Sequence, residues 1–522
     1  MPPAIRLIND AMTQTWSDFE IRPTAAADDA TWCRRVYLDL IGRVPTVSEL
    51  ESFLGDRARG SRVRLVEKLL HDDRYTEEYA GHWSNVWTNL LIGQSGGNDR
   101  RSMVSREGMQ KYLRDSFARN KPYDTMVYEL VTATGAAKPG KENFNGAVNF
   151  LIDKVNEEKG TLATSSTSRI FLGQQVQCTQ CHDHPFNQWK QQKFWEFNSF
   201  FRQTRSLRRF VEGTRDIDYG ELVDQDFGGE AGDPDDALIF YEKRNGRMEV
   251  AYPVFTDGTS IDISGYVSDV NRREKLGKLM LESEYLDKMI VNRMWGQLLG
   301  YGFTRPIDDL GPHNVATHPE LLDQLGKQFR LSSYNLKELL FWITLSRPYQ
   351  LAAQLGSHNE IDDPTIGETP KFSRFYLRQM SAEQLYQSMI TATGAKGTGS
   401  YEDQEAQRNR WLQQFVVAFG TDEGDEATTF DGSIPQALMM FNGDLTKQAI
   451  ATKKGSFLSG VMRDYPRPNE QIEYLFKAGL SRKPNSREKK IAALIYRTDG
   501  NEKMLQDMWW AILNSNEFIL QH

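Results

Sequence analysis

Two of the three cysteines in this 522-residue chain stand three positions apart, in Cys178-Thr-Gln-Cys181-His182-Asp183-His184-Pro185-Phe186. Cys-x-x-Cys-His is the attachment signature of c-type haem. Thiols three residues apart lie on one side of a helical turn, where both can add to the vinyl groups on one flank of a porphyrin. The next residue, His182, then projects its imidazole toward the iron as proximal ligand. Pro185 disfavours helical geometry at His184, so the turn should end there. The same residue types also suit zinc or non-haem iron, held by Cys178, Cys181 and one or both of His182 and His184. Histidines at i and i+2 do not share a helix face, so that reading requires an extended or turn geometry. A third reading is a structural turn whose thiols stay reduced or form a local disulfide.

Other histidines compete for the second axial position, or for acid–base work in a pocket. His318 and His82 lead. His82 sits at the edge of an aromatic stripe with Tyr79, Trp83 and Trp87, where the alternative is a core histidine with one satisfied nitrogen. His313 and His318 lie in Asp308-Asp-Leu-Gly-Pro-His-Asn-Val-Ala-Thr-His-Pro-Glu320. In this polar loop Thr317 or His318 could cap a helix that begins at Pro319. Asp308, Asp309, His318 and Glu320 could surround a cation or an anionic group, with Asp183 a further carboxylate in the motif. His71 and His358 carry no such context and His522 is terminal. Cys33, beside Trp32 and Val36 in a helical run, reads as a buried inert thiol. The sequence has no phosphate-binding Gly-x-x-x-x-Gly-Lys-Ser/Thr loop, no Gly-x-Ser-x-Gly and no His-Glu-x-x-His.

The elements that must position these residues are mostly helical. Apolar spacing predicts helices over 31–41, 61–70, 75–92, 103–118, 124–133 and 164–177, the last leading straight into the cysteine motif. Thr46-Val-Ser-Glu49 has the form of a capping box. From 272 to the end the text is helical again, with segments at 275–299, 319–330, 336–346, 381–393, 436–452, 471–478, 486–496 and 501–514. Segments 355–370 and 395–405 read as flexible connections. Residues 237–241, 248–254 and 260–263 are short β-like runs, with a turn at Arg244-Asn-Gly-Arg. The fold class is therefore mostly α, a multi-helix two-domain protein with a small β insert between its helical halves. The boundaries are an N-terminal extension 1–17, a helical domain 18–204 carrying the motif, a β-containing insert or linker 205–269, and a helical C-terminal domain 270–522.

Composition narrows the function. Sixty-three Lys+Arg against 71 Asp+Glu give a formal charge of −8, and no long basic tract offers a phosphate-backbone footprint, so nucleic acid is not expected. No window supplies the ~18 uninterrupted apolar residues of a membrane span. Residues 1–7 carry no secretory signal, which leaves either a cytosolic protein or an exported one whose leader has been removed.

Longer stretches carry a resemblance. Phe171-Leu-Gly-Gln-Gln-Val-Gln-Cys-Thr-Gln-Cys-His-Asp-His-Pro-Phe186, with Gln188-Trp and Phe194-Trp-Glu-Phe, resembles the planctomycete-specific cytochrome-type domain. Arg35-Val-Tyr-Leu-Asp-Leu-Ile-Gly-Arg-Val-Pro-Thr46 and His82-Trp83 match its entry. Val291-Asn-Arg-Met-Trp295, Gly300-Tyr-Gly-Phe303, Asp308-Asp-Leu-Gly311, Thr317-His-Pro-Glu-Leu-Leu-Asp323 and Leu513-Asn-Ser-Asn-Glu-Phe518 resemble the second planctomycete-specific domain usually fused to it. Together they cover 18–203 and 270–520. The resemblance implies an exported location in families of unassigned function, whose cytochrome label itself rests on Cys-x-x-Cys-His. The expectation is an exported, periplasmic c-type haem protein with a redox role, favoured as a haem-dependent oxidoreductase over an electron carrier. Such a protein would meet a redox partner or a small-molecule or glycan substrate. Two alternatives stand beside it: a non-haem zinc or iron protein, and a glycan-associated scaffold of the cell envelope.

Overall fold

The structure, a computed structural model, describes residues 2–97, 99, 101–186, 189–395, 407, 410–412, 414–416, 440 and 443–522. It is 55% helical with 7% strand, mostly α with small sheets as the periodicity predicts. The chain forms two compact units that interleave along the sequence. One comprises Met1–His82, Leu298–Gly300 and Phe341–His522; the other comprises Trp83–Gln297 and Tyr301–Leu340. These units cut the chain differently from the expected succession of domains with borders at 204 and 270.

In the first unit, residues expected to form an extension instead make the helix Pro3–Asp18, which buries Ile5, Ile8, Met12 and Trp16 at three- and four-residue steps. The helix Asp29–Ile41 is capped by Asp28, which accepts from the Ala30 and Thr31 amides, and it ends at Gly42 in the left-handed region. The expected capping box is present: Thr46 Oγ1 accepts from the Glu49 amide and Glu49 accepts from the Thr46 amide. Leu38 and Val44 share one apolar core with Met380, Leu385, Met389, Leu475, Leu505 and Trp509 from the C-terminal helices. The helical stretches expected at 486–496 and 501–514 are two arms of Ser486–Leu513, broken at Gly500 (φ 85°, ψ 178°). Of the helix expected at 436–452, the described part is Asp444–Ala449; residues 396–405 of the expected connection lie outside the described residues.

Buried arginines pin this unit together. Arg34 donates to the carbonyls of Gly479 (2.6 Å) and Phe518 (2.9 Å), and Arg35 to those of Tyr349 and Leu351. Asp39 takes two bonds from Arg378 (2.9 and 3.1 Å) and one from the Tyr349 hydroxyl (2.5 Å). A buried carboxylate persists only when paired and hydrogen-bonded in this way. A two-residue antiparallel pair, Arg378–Gln379 with Leu520–Gln521, lies beside this network in sequence and outside the expected β region.

The second unit contains the helices Arg106–Ala118, Tyr123–Thr132, Thr161–Leu172, Gln191–Asn198, Arg272–Glu282 and Pro319–Leu331. Thr161–Leu172 stops five residues short of the expectation because Gly173 takes the left-handed C-cap. The helix expected over 275–299 is two, Arg272–Glu282 and Glu284–Leu299, separated by Ser283 in extended backbone. An antiparallel sheet runs in the order Gly135–Ala136, Ile217–Asp224, Thr204–Phe210, with Ser206 opposite Leu222. The hairpin Ile239–Glu242 with Met248–Ala251 turns where Arg244-Asn-Gly-Arg predicts it, Gly246 supplying φ 78°. The run 260–263 forms only the bridge Val254–Ser260.

Arg272 and Arg273 are buried where the helix text resumes. Arg272 donates to the Ser199, Ala237 and Ser264 carbonyls; Arg273 pairs with Asp224 (2.8 Å) and donates to the Val131 and Ala133 carbonyls. The insert is therefore bolted into the unit's core and does not hang as a linker.

Candidate functional site

The motif forms a 3₁₀ turn, Gln177–Gln180, with Cys181 as its C-cap. In such a turn residues i and i+3 eclipse, so Cys178 and Cys181 share one edge more closely than an α-helix would allow. Both thiols are exposed and unpaired. Behind them Thr179 is buried, its hydroxyl bonded to the Val176 carbonyl at 2.6 Å. The Gln180 carbonyl accepts from Gln191 Nε2 (3.2 Å) and Trp195 Nε1 (3.1 Å). Trp195 stacks on Tyr241 (5.9 Å between centroids, 12° between planes), and Gln191 reaches the Glu242 carbonyl. The hairpin thus buttresses the turn.

Hydrogen bonding distinguishes the two motif histidines. His182 Nδ1 lies 2.6 Å from the Asp183 carbonyl oxygen. A carbonyl only accepts, so in the neutral ring Nδ1 carries the proton and Nε2 the lone pair. His184 is the reverse. Its Nδ1 accepts from the Phe186 amide at 3.2 Å, so in the neutral ring Nε2 carries the proton. One imidazole presents an acceptor nitrogen, the other a donor. Asp183 clasps the next helix, accepting from the Gln191 amide and Lys190 Nζ, both at 3.0 Å. Those bonds, the Gln191 amide foremost, hold its pKa below the usual carboxylate value.

The Asp308–His313 loop packs onto the same place. Leu310 N donates to the Gly173 carbonyl (2.7 Å). Asp308 accepts from Arg169 (3.0 Å) and Gln175 (2.9 Å). Buried Asp309 accepts from the Gly311 amide and from His313 Nε2, both at 2.9 Å, and the His313 ring lies 5.3 Å from that of His184. Burial first, then neighbouring His313, push the His184 pKa below the ordinary histidine value. Two glycines permit these approaches. A β-carbon on Gly173 (φ 61°) would fall 2.8 Å from Leu310 and from Met289; one on Gly311 would fall 2.6 Å from the His313 ring and 2.9 Å from Asp309.

The remaining expected ligands lie elsewhere. His318 bonds Thr317 Oγ1 and packs edge-on to Phe303 (5.8 Å); burial lowers its pKa to about 4. It is the N-cap residue of Pro319–Leu331 but makes no side-chain cap bond. Glu320 is exposed in that helix's first turn. His82 belongs to the first unit, buried against Gly42, where a β-carbon would sit 2.6 Å from its ring. Burial lowers its pKa to about 4, so it is a neutral core histidine. Cys33 is buried, as expected, and burial pushes its thiol pKa up. The loop histidine that meets the motif is His313. Its signal in the sequence was the spacing Asp309-x-Gly-x-His313.

Residues 7–206 match the family model PSCyt2, a protein of unknown function (DUF1549), and residues 272–496 match PSD1, a protein of unknown function (DUF1553). The chain is a PSCyt2–PSD1 fusion. No curated protein and no solved structure matches it. The cysteine motif lies in the PSCyt2 region and the Asp308–His313 loop in the PSD1 region, yet one compact unit holds both. In this fusion the site is composite, assembled from the two families' segments.

The donor set of the fusion meets the demands of a c-type haem: two accessible thiols on one edge of a turn, followed by an imidazole whose Nε2 lone pair is available. Phe186 and Val315, on the two loops that meet at His184 and His313, are 78% and 76% exposed. Among the described residues, no three His, Cys, Asp or Glu side chains are grouped so that they could hold a metal ion. No helix among them is long and apolar enough to cross a membrane.

Proposed function

We propose that this PSCyt2–PSD1 protein carries a c-type haem on Cys178 and Cys181, with His182 as ligand, and works outside the cytoplasm as a haem-dependent oxidoreductase. The observation that carries this reading is the bond from His182 Nδ1 to the Asp183 carbonyl, which fixes the tautomer a proximal ligand needs and orients the ring as outer partners do in metal sites. When bound, the haem would supply one-electron chemistry. The chain's own residues do the rest. The 3₁₀ turn presents both thiols on one edge. Asp309 and His313 hold a polar wall beside the motif. His184 offers an N–H where a substrate oxygen could accept it, which favours an enzyme over a carrier. The periplasmic location follows from the haem reading, because covalent haem attachment takes place there.

The test is expression in an oxidising compartment with haem-attachment machinery, followed by intact mass and a pyridine haemochrome spectrum. The expected product is heavier than its polypeptide by one haem. In His182→Ala the covalent mass gain should persist while the Soret band shifts. Colourless protein of polypeptide mass would overturn the reading. Stoichiometric zinc or iron without porphyrin would replace it with the non-haem alternative.

A further inference from the structure

The two arms of Ser486–Leu513, in the first unit, differ in how they pack. The arm after Gly500 buries Met504, Leu505, Met508, Trp509, Ile512 and Leu513; the arm before it buries Ala492 alone. The first arm is anchored at its start, where Arg482 bridges Glu488 and Glu517. Beyond that anchor its outer side stands in solvent. Arg487, Lys490, Ile491, Leu494 and Arg497 recur at three- and four-residue steps and so occupy one helix face. On it Leu494 is 62% exposed and Ile491 44%. The arm carries four cations, Arg487, Lys489, Lys490 and Arg497, and none is in an ion pair among the described residues. Its two carboxylates do not offset them there: Glu488 is held by Arg482, and Asp499 stands at the far end beside Thr498.

We infer that this face is an interfacial site that rests on an anionic lipid surface. Isolated exposed leucines are ordinary. A face that interleaves large aliphatic side chains with unpaired cations, in a chain of net charge −8, is not. A bilayer surface offers what both residue types need in one plane: phosphates for the guanidinium and ammonium groups, and acyl chains for Ile491 and Leu494 just beneath. The long Lys and Arg stems let the charges stay at headgroup depth while the aliphatic residues insert. An acidic protein surface would satisfy the cations but leave Leu494 against polar groups. The helix lies on the membrane and does not span it.

The experiment is co-sedimentation of the full chain with vesicles of phosphatidylcholine alone and of phosphatidylcholine mixed with phosphatidylglycerol. Binding is expected to the mixed vesicles only, and to weaken as salt is raised. Each neutralised cation should weaken it about fivefold, so Arg487→Gln/Lys490→Gln should lose most of it, and Leu494→Ser should weaken binding while the remainder keeps its salt dependence. These positions are exposed, so circular dichroism should match the unaltered protein. Failure of the unaltered chain to sediment, equal binding to both vesicle types, or undiminished binding by folded variants would overturn the inference. Binding to poly-glutamate but not to vesicles would assign the face to an acidic protein instead. The outcome is independent of whether haem is attached.

Discussion

The segments Arg35–Thr46 and Cys178–Phe186 are equally conspicuous in the sequence, and the structure uses them in opposite ways. In the first, the charged side chains Arg35, Asp39 and Arg43 are engaged internally. Arg35 is spent on backbone carbonyls, Asp39 on Arg378 and Tyr349, and Arg43 on Glu49 and Glu78. In the second, the backbone is anchored from behind while the thiols and the His182 ring face outward. A recognisable motif can thus mark a bolt or a reactive edge. The distinguishing feature is where the hydrogen bonds end, and not how unusual the residues look.

The widest separation between the two should appear in stability. Asp39→Ala leaves Arg378 and the Tyr349 hydroxyl buried without their acceptor, so denaturant unfolding should show a loss of about 3–5 kcal/mol. Arg273→Met should act in the same direction but less strongly in the second unit, because Asp224 loses its counter-charge yet keeps its bonds from Thr204 and Asn271. Because Arg273 opens the PSD1 region and binds carbonyls of the PSCyt2 region, chains cut between 206 and 272 should not yield two independently cooperative domains.

Acid should come next. His82 has a folded pKa of about 4 against the ordinary histidine value of 6.5, so the unfolded chain binds more protons between those values. Its stabilising contribution is full above 6.5 and is lost as pH falls toward 4, amounting to about 2 kcal/mol between neutral pH and about pH 5. His318 acts in the same direction in the second unit. Glu49, held at about 2 largely against the desolvation that would raise it, loses its contribution only at lower pH, below its unfolded value of 4.5. His82→Gln should flatten the urea midpoint against pH over the upper range; an unchanged slope would place the proton uptake elsewhere.

Local signals were legible and remote ones were not. The capping box at Thr46, the break at Gly500 and the turn at Gly246 each rest on a few adjacent residues with fixed backbone demands. The strand Thr204–Phe210 was hidden because Arg205, Arg208 and Arg209 blur its alternation. Interleaving of the units had no local trace, since bonds such as Arg34 to the Gly479 carbonyl span 445 residues. Within the site, the thiols and His182 were legible from spacing. His313 was not preferred over His318, because only the fold shows that Gly311 lets Asp309 and His313 close over it.

Gly311→Ala sharpens that last distinction. Its β-carbon would lie 2.6 Å from the His313 ring, so the Asp309–His313 pair must move, at a cost of about 1–3 kcal/mol. The His184 and His313 ring resonances should shift together, while His318, bonded to Thr317, should not.

The smallest expected effect on folding belongs to the most conspicuous residues. Cys178 and Cys181 are exposed, and the turn beneath them is held by Thr179, Gln191 and Trp195. Cys178→Ser/Cys181→Ser should therefore leave the unfolding free energy within about 0.5 kcal/mol of the unaltered chain. The same variant should lose all covalent haem in the attachment assay. If it instead unfolds, the thiols are bolts like Asp39, and the contrast between the two segments disappears.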